Sequence, residues 1–291
     1  MGTLETPSLR ELRGRNGEVS PSVGKLRVEE VVADVRELHE DPANAGALFQ
    51  VASQFNLLEM VSSDITPEMG IDRYDQDRTQ GPACAIACGA GTIWRNYFVE
   101  IDGERGQTAR QQLDMLADMG RALGNEGNRL WRMRNGYLLA RREGLEEIGR
   151  RLKISNEKAR DALGQLLRVG IQKETEVTIP GAGHRVTQVY CSALPVGYSR
   201  HPARLWEPFA KLILEAAYEA TLYAALENLH RSGNPRVYLT LLGGGAFGNE
   251  RDWIIQSMAK ALDKFRTVPL QVGIVSFRRS GVDVAEMCRA F

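Results

Sequence analysis

Charge of one sign, paired cysteines and long apolar runs are all missing from this chain. Its 291 residues carry 37 Lys and Arg against 37 Asp and Glu. A balanced chain has no whole-surface positive field, which argues against a nucleic-acid binder of the usual kind. The four cysteines, Cys84, Cys88, Cys191 and Cys288, form no CxxC pair and match no histidine at metal-ligand spacing. Neither a zinc site nor a disulfide framework is therefore expected, and the thiols read as buried and reduced. The four histidines, His39, His184, His201 and His230, are scattered, and no nucleophile elbow or triad is recognisable. No metal and no cofactor are expected. No stretch has the apolar length of a membrane helix. The opening residues MGTLETPSLRELRG lack the apolar segment of a secretory signal, so a cytoplasmic protein with no membrane partner is expected. Met1-Gly2 with Thr6 fits a loose acylation pattern and is read as an unmodified start.

What is present is ordinary globular material, 43% hydrophobic and 25% charged. A chain of this length buries roughly three-quarters of its unfolded surface without a staple. Residues 1–25 are rich in Gly, Ser, Pro and charge and read as a flexible arm with a short helical piece near Leu9–Arg13. Residues 26–291 read as one domain. LRVEEVVADVREL begins as a strand that runs out near Asp34, and ALFQVASQF is a buried strand. Residues 60–82 form a long irregular loop, followed by a small, apolar helix in ACAIACGAGTIWRNYF that leads into a strand NYFVEI. Residues 105–175 read as a helical insertion. Between Arg129 and Lys173 it holds twelve Lys and Arg against five Asp and Glu. That excess reads as a solvated helix face, with an acidic partner as the alternative. RVTQVYCSAL is a strand, residues 203–231 a long amphipathic helix, RVYLTLL a strand, ERDWIIQSMAKALDKF a helix and LQVGIVSF a last buried strand. Strands alternating with helices imply an α/β fold with a mostly parallel sheet covered on both faces.

Three segments can carry chemistry. In LLGGGAFGN a buried strand ends, four glycines follow and a helix begins near Asn249. Bare amides and a helix N-terminus suit a diphosphate, and the carboxyl end of a strand is where open α/β sheets bind ligands. The second is the acid-rich loop with Asp64, Asp72, Asp75 and Asp77, and Glu59 just before it. Such carboxylates can stabilise a glycosyl cation, activate water or hold ribose hydroxyls. Asp75 and Asp77 are two apart, so an extended chain puts both on one side, where clustering is expected to raise one pKa of the pair. The third is Asp34, at a strand end, able to accept from an exocyclic amine.

Order and motifs together resemble the macrodomain, an ADP-ribose-binding three-layer α/β/α fold. VEEVVADVREL is similar to the family's opening strand and adenine-binding segment, which implies that Asp34 meets the adenine amine beside the backbone of Val35. ALFQVASQFN is similar to the strand that leads to the distal ribose, with Gln54 and Asn56 as candidates. TQGPACAIACGAG stands where a glycine-rich loop enters a helix, opened by Gln80 and Gly81. VYLTLLGGGAFGN resembles the second phosphate loop, which implies ligand contacts from Gly243, Gly244, Gly245, Ala246, Phe247, Gly248 and Asn249, with Phe247 flanking the distal ribose. The usual glycines after the ribose-binding Asn are replaced by the acidic loop, and the paired glutamates of poly(ADP-ribose) glycohydrolases are absent. The combination resembles most the divergent, arginine-specific, MavL-like ADP-ribosyl hydrolases. This implies removal of mono-ADP-ribose from modified protein, with catalytic carboxylates in the order Asp75, Asp77, Glu59, Asp72. A non-catalytic ADP-ribose reader, a hydrolase of poly(ADP-ribose) or O-acetyl-ADP-ribose, and a protein-interaction domain remain alternatives. The implied partners are ADP-ribose and ADP-ribosylated protein. The oligomeric state is left open.

Overall fold

The structure, a computed structural model, describes residues 1–17, 24–72, 77 and 79–291. The strands are β1 (Thr3–Glu5), β2 (Arg27–Val32), β3 (Leu48–Ala52), β4 (Glu100–Ile101), β5 (Glu104–Arg105), β6 (Trp131–Arg134), β7 (Tyr137–Ala140), β8 (Gly170–Glu176), β9 (Arg185–Cys191), β10 (Arg236–Thr240) and β11 (Gln271–Ser276). The helices are α1 (Leu9–Asn16), α2 (Val35–Glu40), α3 (Gln80–Ala87), α4 (Gly89–Tyr97), α5 (Ala117–Leu123), α6 (Arg142–Ile154), α7 (Glu157–Gly164), α8 (Ala203–Ser232), α9 (Arg251–Asp263) and α10 (Val282–Cys288).

Among the described residues, one mixed sheet runs β1-β8-β9-β3-β10-β11-β2. The five strands from β9 to β2 are mutually parallel, and β8, second from one edge, runs antiparallel to both β9 and β1. Both faces are covered, which is why β3 is buried along nearly its whole length. Phe49 and Gln50 show the two sides. Phe49 stacks on His39 of α2, with ring centroids 3.8 Å apart. Its neighbour Gln50 points the other way, its Nε2 donating to Thr221 Oγ1 of α8 at 2.9 Å. The expected three-layer α/β/α, macrodomain-like architecture is what the chain adopts.

The 30-residue helix α8 is the spine of one layer and packs on α9, α6 and α1. Its Tyr218 reaches the carboxyl end of β10. The hydroxyl donates to Thr240 O at 2.9 Å and accepts from Leu242 N at 3.0 Å. One buried phenol thereby fixes both the end of β10 and the start of the glycine loop.

Three expectations are corrected. Residues 1–17 are docked rather than a free arm. β1 adds to the sheet edge beside β8, Ser8 and Glu11 form a reciprocal N-terminal cap, and Leu9 and Leu12 are buried. Burial of each leucine is worth roughly 2 kcal/mol, and Arg13 adds bonds to Asp161 and Glu219. Residues 18–23 lie outside the described residues. The insertion is not wholly helical: it contains α5, α6 and α7, but also the β6–β7 hairpin and β8, a member of the main sheet. The helix after the acidic loop breaks at Cys88 into α3 and α4, and the strand expected at NYFVEI shrinks to the two-residue β4 of a small hairpin.

Candidate active site

The carboxyl ends of β3, β10 and β11 open onto two adjoining cavities. The smaller, ≈ 190 Å³, lies among Gln54, Glu59, Asp77, Gly81, Tyr137 and Phe247. The larger, ≈ 500 Å³, lies among Asp34, Val35, Asn249, Ile254 and Phe277. Thr79, Gln80, Thr240, Leu241 and Gly245 line both, so the two are halves of one cleft.

Glu59 is held by a turn with unusual backbone. Leu57 sits at φ 65, a left-handed conformation that costs a branched side chain about 1 kcal/mol or more. Several bonds over-determine it. Gln54 N donates to Leu58 O at 3.0 Å, and Leu57 N to Gln54 O at 2.9 Å. The Leu57 carbonyl accepts from Arg95 Nε at 3.2 Å. Arg95 is itself buried, its guanidinium lying 3.6 Å over the Tyr190 ring. Beyond the turn, Met60 N donates to Gln54 Oε1 at 2.8 Å and Tyr137 Oη to Met60 O at 2.5 Å. Glu59 is therefore presented by two neighbours that are both pinned.

The Glu59 side chain is half-buried, and its Oε1 is fully buried with no hydrogen-bond partner among the described residues. Burial pushes its pKa well above the ordinary carboxylate range. The Asp77 carboxylate adds to the rise, and Arg95 opposes it. Asp77 stands beside it at the cavity wall, its Oδ1 accepting from Thr79 N at 2.8 Å. An acid whose charged form is disfavoured, sharing a cavity with a second carboxyl group, is a pairing that glycosidic chemistry uses.

The glycine loop supplies the cleft floor. Gly243 (φ 75) and Gly248 (φ 66) are left-handed, and Asn249 N closes the loop on Gly243 O at 3.0 Å. Among the described residues the amides of Gly245, Ala246 and Phe247 donate to no protein acceptor, so they are available to an anion. Phe247 belongs to an aromatic trio with Tyr137 and Tyr198, centroids 5.2 to 5.6 Å apart.

The sequence-expected residues divide as follows. Asp34 and Val35 border the larger cavity. Asp34 is the N-cap of α2, and its Oδ1 accepts from Arg36 N at 2.8 Å. Gln54, Gln80, Gly81 and the glycine loop border the cleft. The Gln80 amide is spent on β3, accepting from Ala52 N at 2.8 Å and donating to Gln50 O at 2.7 Å. Gln80 thus positions the floor between the two halves. Asn249 is buried, its Nδ2 bonded to Leu194 O at 2.8 Å. It therefore clamps the loop. Asn56 lines neither cavity among the described residues. It is fully buried, with Nδ2 on Gln112 Oε1 at 2.9 Å and Oδ1 on Leu58 N at 3.1 Å, and it braces the Glu59 turn. Asp72 is exposed and is not among the described residues that line either cavity. Asp75 lies outside the described residues. Tyr137, Tyr198 and Arg95 were missed. The signal for Tyr137 was the Asn135-Gly136 pair between two alternating runs, a hairpin signature.

No known family model matches the chain, and no curated protein matches it in sequence. Solved structures do. The poly(ADP-ribose) glycohydrolase of Deinococcus radiodurans in complex with ADP-ribose matches with 10% identity and a TM-score of 0.50, over 99% of this chain and 93% of that one. The poly(ADP-ribose) glycohydrolase of Thermomonospora curvata matches with 13% identity and a TM-score of 0.44, over 99% of this chain and 85% of that one. At such identity the likeness concerns the fold. The expected resemblance to arginine-specific, MavL-like hydrolases is corrected: the likeness found is to a poly(ADP-ribose) glycohydrolase.

Proposed function

We infer that the chain is a glycohydrolase that releases ADP-ribose from poly(ADP-ribose). The observation that carries this is Glu59, a half-buried carboxyl with one buried, unbonded oxygen, at one end of a cleft whose floor is bare amides and whose far end is mostly apolar. The likeness to a glycohydrolase solved with ADP-ribose supports the same reading.

In this reading the adenine lies in the larger cavity by Asp34 and Phe277. The diphosphate crosses the amides of Gly245, Ala246 and Phe247, which neutralise charge without a side chain. The distal ribose then enters the smaller cavity against Phe247. The bond to be cut joins its C1″ to a hydroxyl oxygen of the next unit. Glu59, held protonated by burial, donates to that oxygen as the bond breaks. Positive charge develops at C1″ in an oxocarbenium-like state, and the adjacent carboxylate of Asp77 stabilises it. Water attacks C1″, and its proton passes to the Glu59 carboxylate, restoring the acid. Tyr137 and Arg95 touch no reacting atom here; they hold Glu59 in place. The test is incubation of the protein with purified poly(ADP-ribose) and chromatographic detection of free ADP-ribose. Release that is lost in Glu59→Gln supports the reading, and an intact polymer after prolonged incubation rejects it.

A further inference from the structure

We propose that the exposed arginines of the β6–β7 hairpin and the segment after Tyr198 form a subsite for the phosphates of the leaving polymer chain. The proposal rests on the polymer reading above and assigns a role to the basic insertion.

The hairpin register decides where these side chains go. Arg134 pairs with Tyr137, and Arg132 with Leu139, across the antiparallel ladder. Directly paired residues share one face of a hairpin, and alternate residues along a strand return to it. Arg132, Arg134, Tyr137 and Leu139 therefore stand on one face, while Trp131, Met133, Leu138 and Ala140 stand on the other. Packing agrees: Leu138 and Trp131 join the main core, whereas Tyr137 and Leu139 join a small cluster with Leu58, Met60 and Phe247 at the cavity. The face that sends Tyr137 to the Glu59 cavity thus carries two exposed arginines on its outer strand.

A second segment adds to this rim. Tyr198 packs against Tyr137 with tilted rings 5.2 Å apart, and His201 Nε2 lies 3.3 Å from Ala140 O. Arg200 stands between these two contacts, and Arg204 is exposed in the first turn of α8. Arg134 pairs with Asp64. Arg132, Arg200 and Arg204 pair with no carboxylate among the described residues, unlike Arg129 and Arg142 of the same insertion. Unpaired guanidiniums beside a cleft suit phosphate, which they grip in a bidentate fashion. Their position gives the direction. The adenine end is at Asp34, so whatever is attached beyond the distal ribose leaves past Tyr137 and Tyr198. In a polymer that is another ADP-ribose unit, with two more phosphate charges.

The test is binding in the Glu59→Gln background, where substrate is not consumed. Fluorescently labelled poly(ADP-ribose) and free ADP-ribose are titrated against the parent, against Arg132→Glu/Arg200→Glu, and against Arg27→Glu/Arg185→Glu. The last pair changes charge equally but sits at the amino ends of β2 and β9, away from the cleft. The rim predicts a loss of roughly tenfold in polymer affinity and a shallower salt dependence for the first variant alone, with ADP-ribose affinity unchanged. Equal losses on both ligands, equal losses in both charge variants, or no loss at all would overturn it. A parent that binds no ADP-ribose rejects the functional reading instead, and the polymer affinities of the two charge variants still decide the rim.

Discussion

The carboxylate of Glu59 fills the space that any side chain on residue 81 would need. A Cβ built on Gly81 would collide with Glu59 Oε1 and with the carbonyl of Ala52. The first turn of α3 thus depends on a missing side chain to seat the acid of the site. Gly81→Ala is expected to displace Glu59 and lower kcat/KM on poly(ADP-ribose) by roughly tenfold to a hundredfold, since misplacement of about an ångström costs that much. A thermal melt recorded in parallel separates misplacement from unfolding. Full activity in a folded Gly81→Ala protein would mean that the position of Glu59 is irrelevant to turnover.

Glu59→Gln should abolish most turnover, by roughly a hundredfold or more, yet stabilise the protein at neutral pH. The sign follows from proton uptake. Glu59 has a raised pKa when folded, so above its unfolded value the native state binds more protons than the unfolded chain. Its burial therefore costs stability increasingly as pH rises through the ordinary carboxylate range and on to the folded pKa. Removing the ionisable group should raise Tm at pH 7.5 by about 2 °C or more, a difference that vanishes near pH 4. Activity of the unsubstituted chain should fall on its alkaline side as Glu59 loses its proton. A lower Tm at pH 7.5 in the variant would contradict the enclosed acid.

Gly245 separates binding from folding. A Cβ there meets no protein atom within 4 Å, whereas one on Gly244 meets Ile254 Cδ1 at 3.1 Å. Gly245→Ala should leave Tm within about 1 °C, as for an exposed substitution without contacts. It should still weaken ADP-ribose binding several-fold, because the methyl enters the space where the diphosphate approaches the amides. Calorimetric titration reads the affinity, and unchanged affinity would remove the diphosphate from this loop.

His39 sets an acid limit on stability. Burial lowers its pKa to about 4, against a helpful bond to Val35 O at 2.8 Å. Nε2 faces Gln188 Nε2 at 3.0 Å, which requires a neutral ring accepting there. A depressed folded pKa means that the unfolded chain binds the extra proton between pH 6.5 and about 4. Stability is therefore lost as pH falls through that window, by on the order of 3 kcal/mol. His39→Gln should be less stable than the unsubstituted chain at pH 7, with the gap narrowing toward pH 4.5 in urea titrations. A gap that stays constant with pH would show that His39 does not titrate as described.

Much of the fold was legible because periodicity reports burial. The apolar strands at 48–52, 236–240 and 271–276 and the helix at 203–232 read directly from their patterns. The docked N-terminus did not, because Leu9 and Leu12 are only two apolar residues in a polar segment, and their value lies in the contact with α8. Within the site, the glycine loop was legible because glycine marks backbone that must stay bare. The bracing bonds of Asn56 were not legible, because sequence places a side chain near a strand end without saying which way it turns. Glu59 ranked behind Asp75 in the sequence because clustering is visible there and enclosure is not. Tyr137 lies 78 residues from Glu59 along the chain, and only the folded hairpin brings the two together.

The most direct measurement is a crystal structure of the Glu59→Gln protein soaked with ADP-ribose. The account predicts adenine beside Asp34, the two phosphates on the amides of Gly245, Ala246 and Phe247, and the distal C1″ facing residue 59. A nucleotide lying in the reverse direction, or a cleft that stays vacant at saturating ligand, would contradict it.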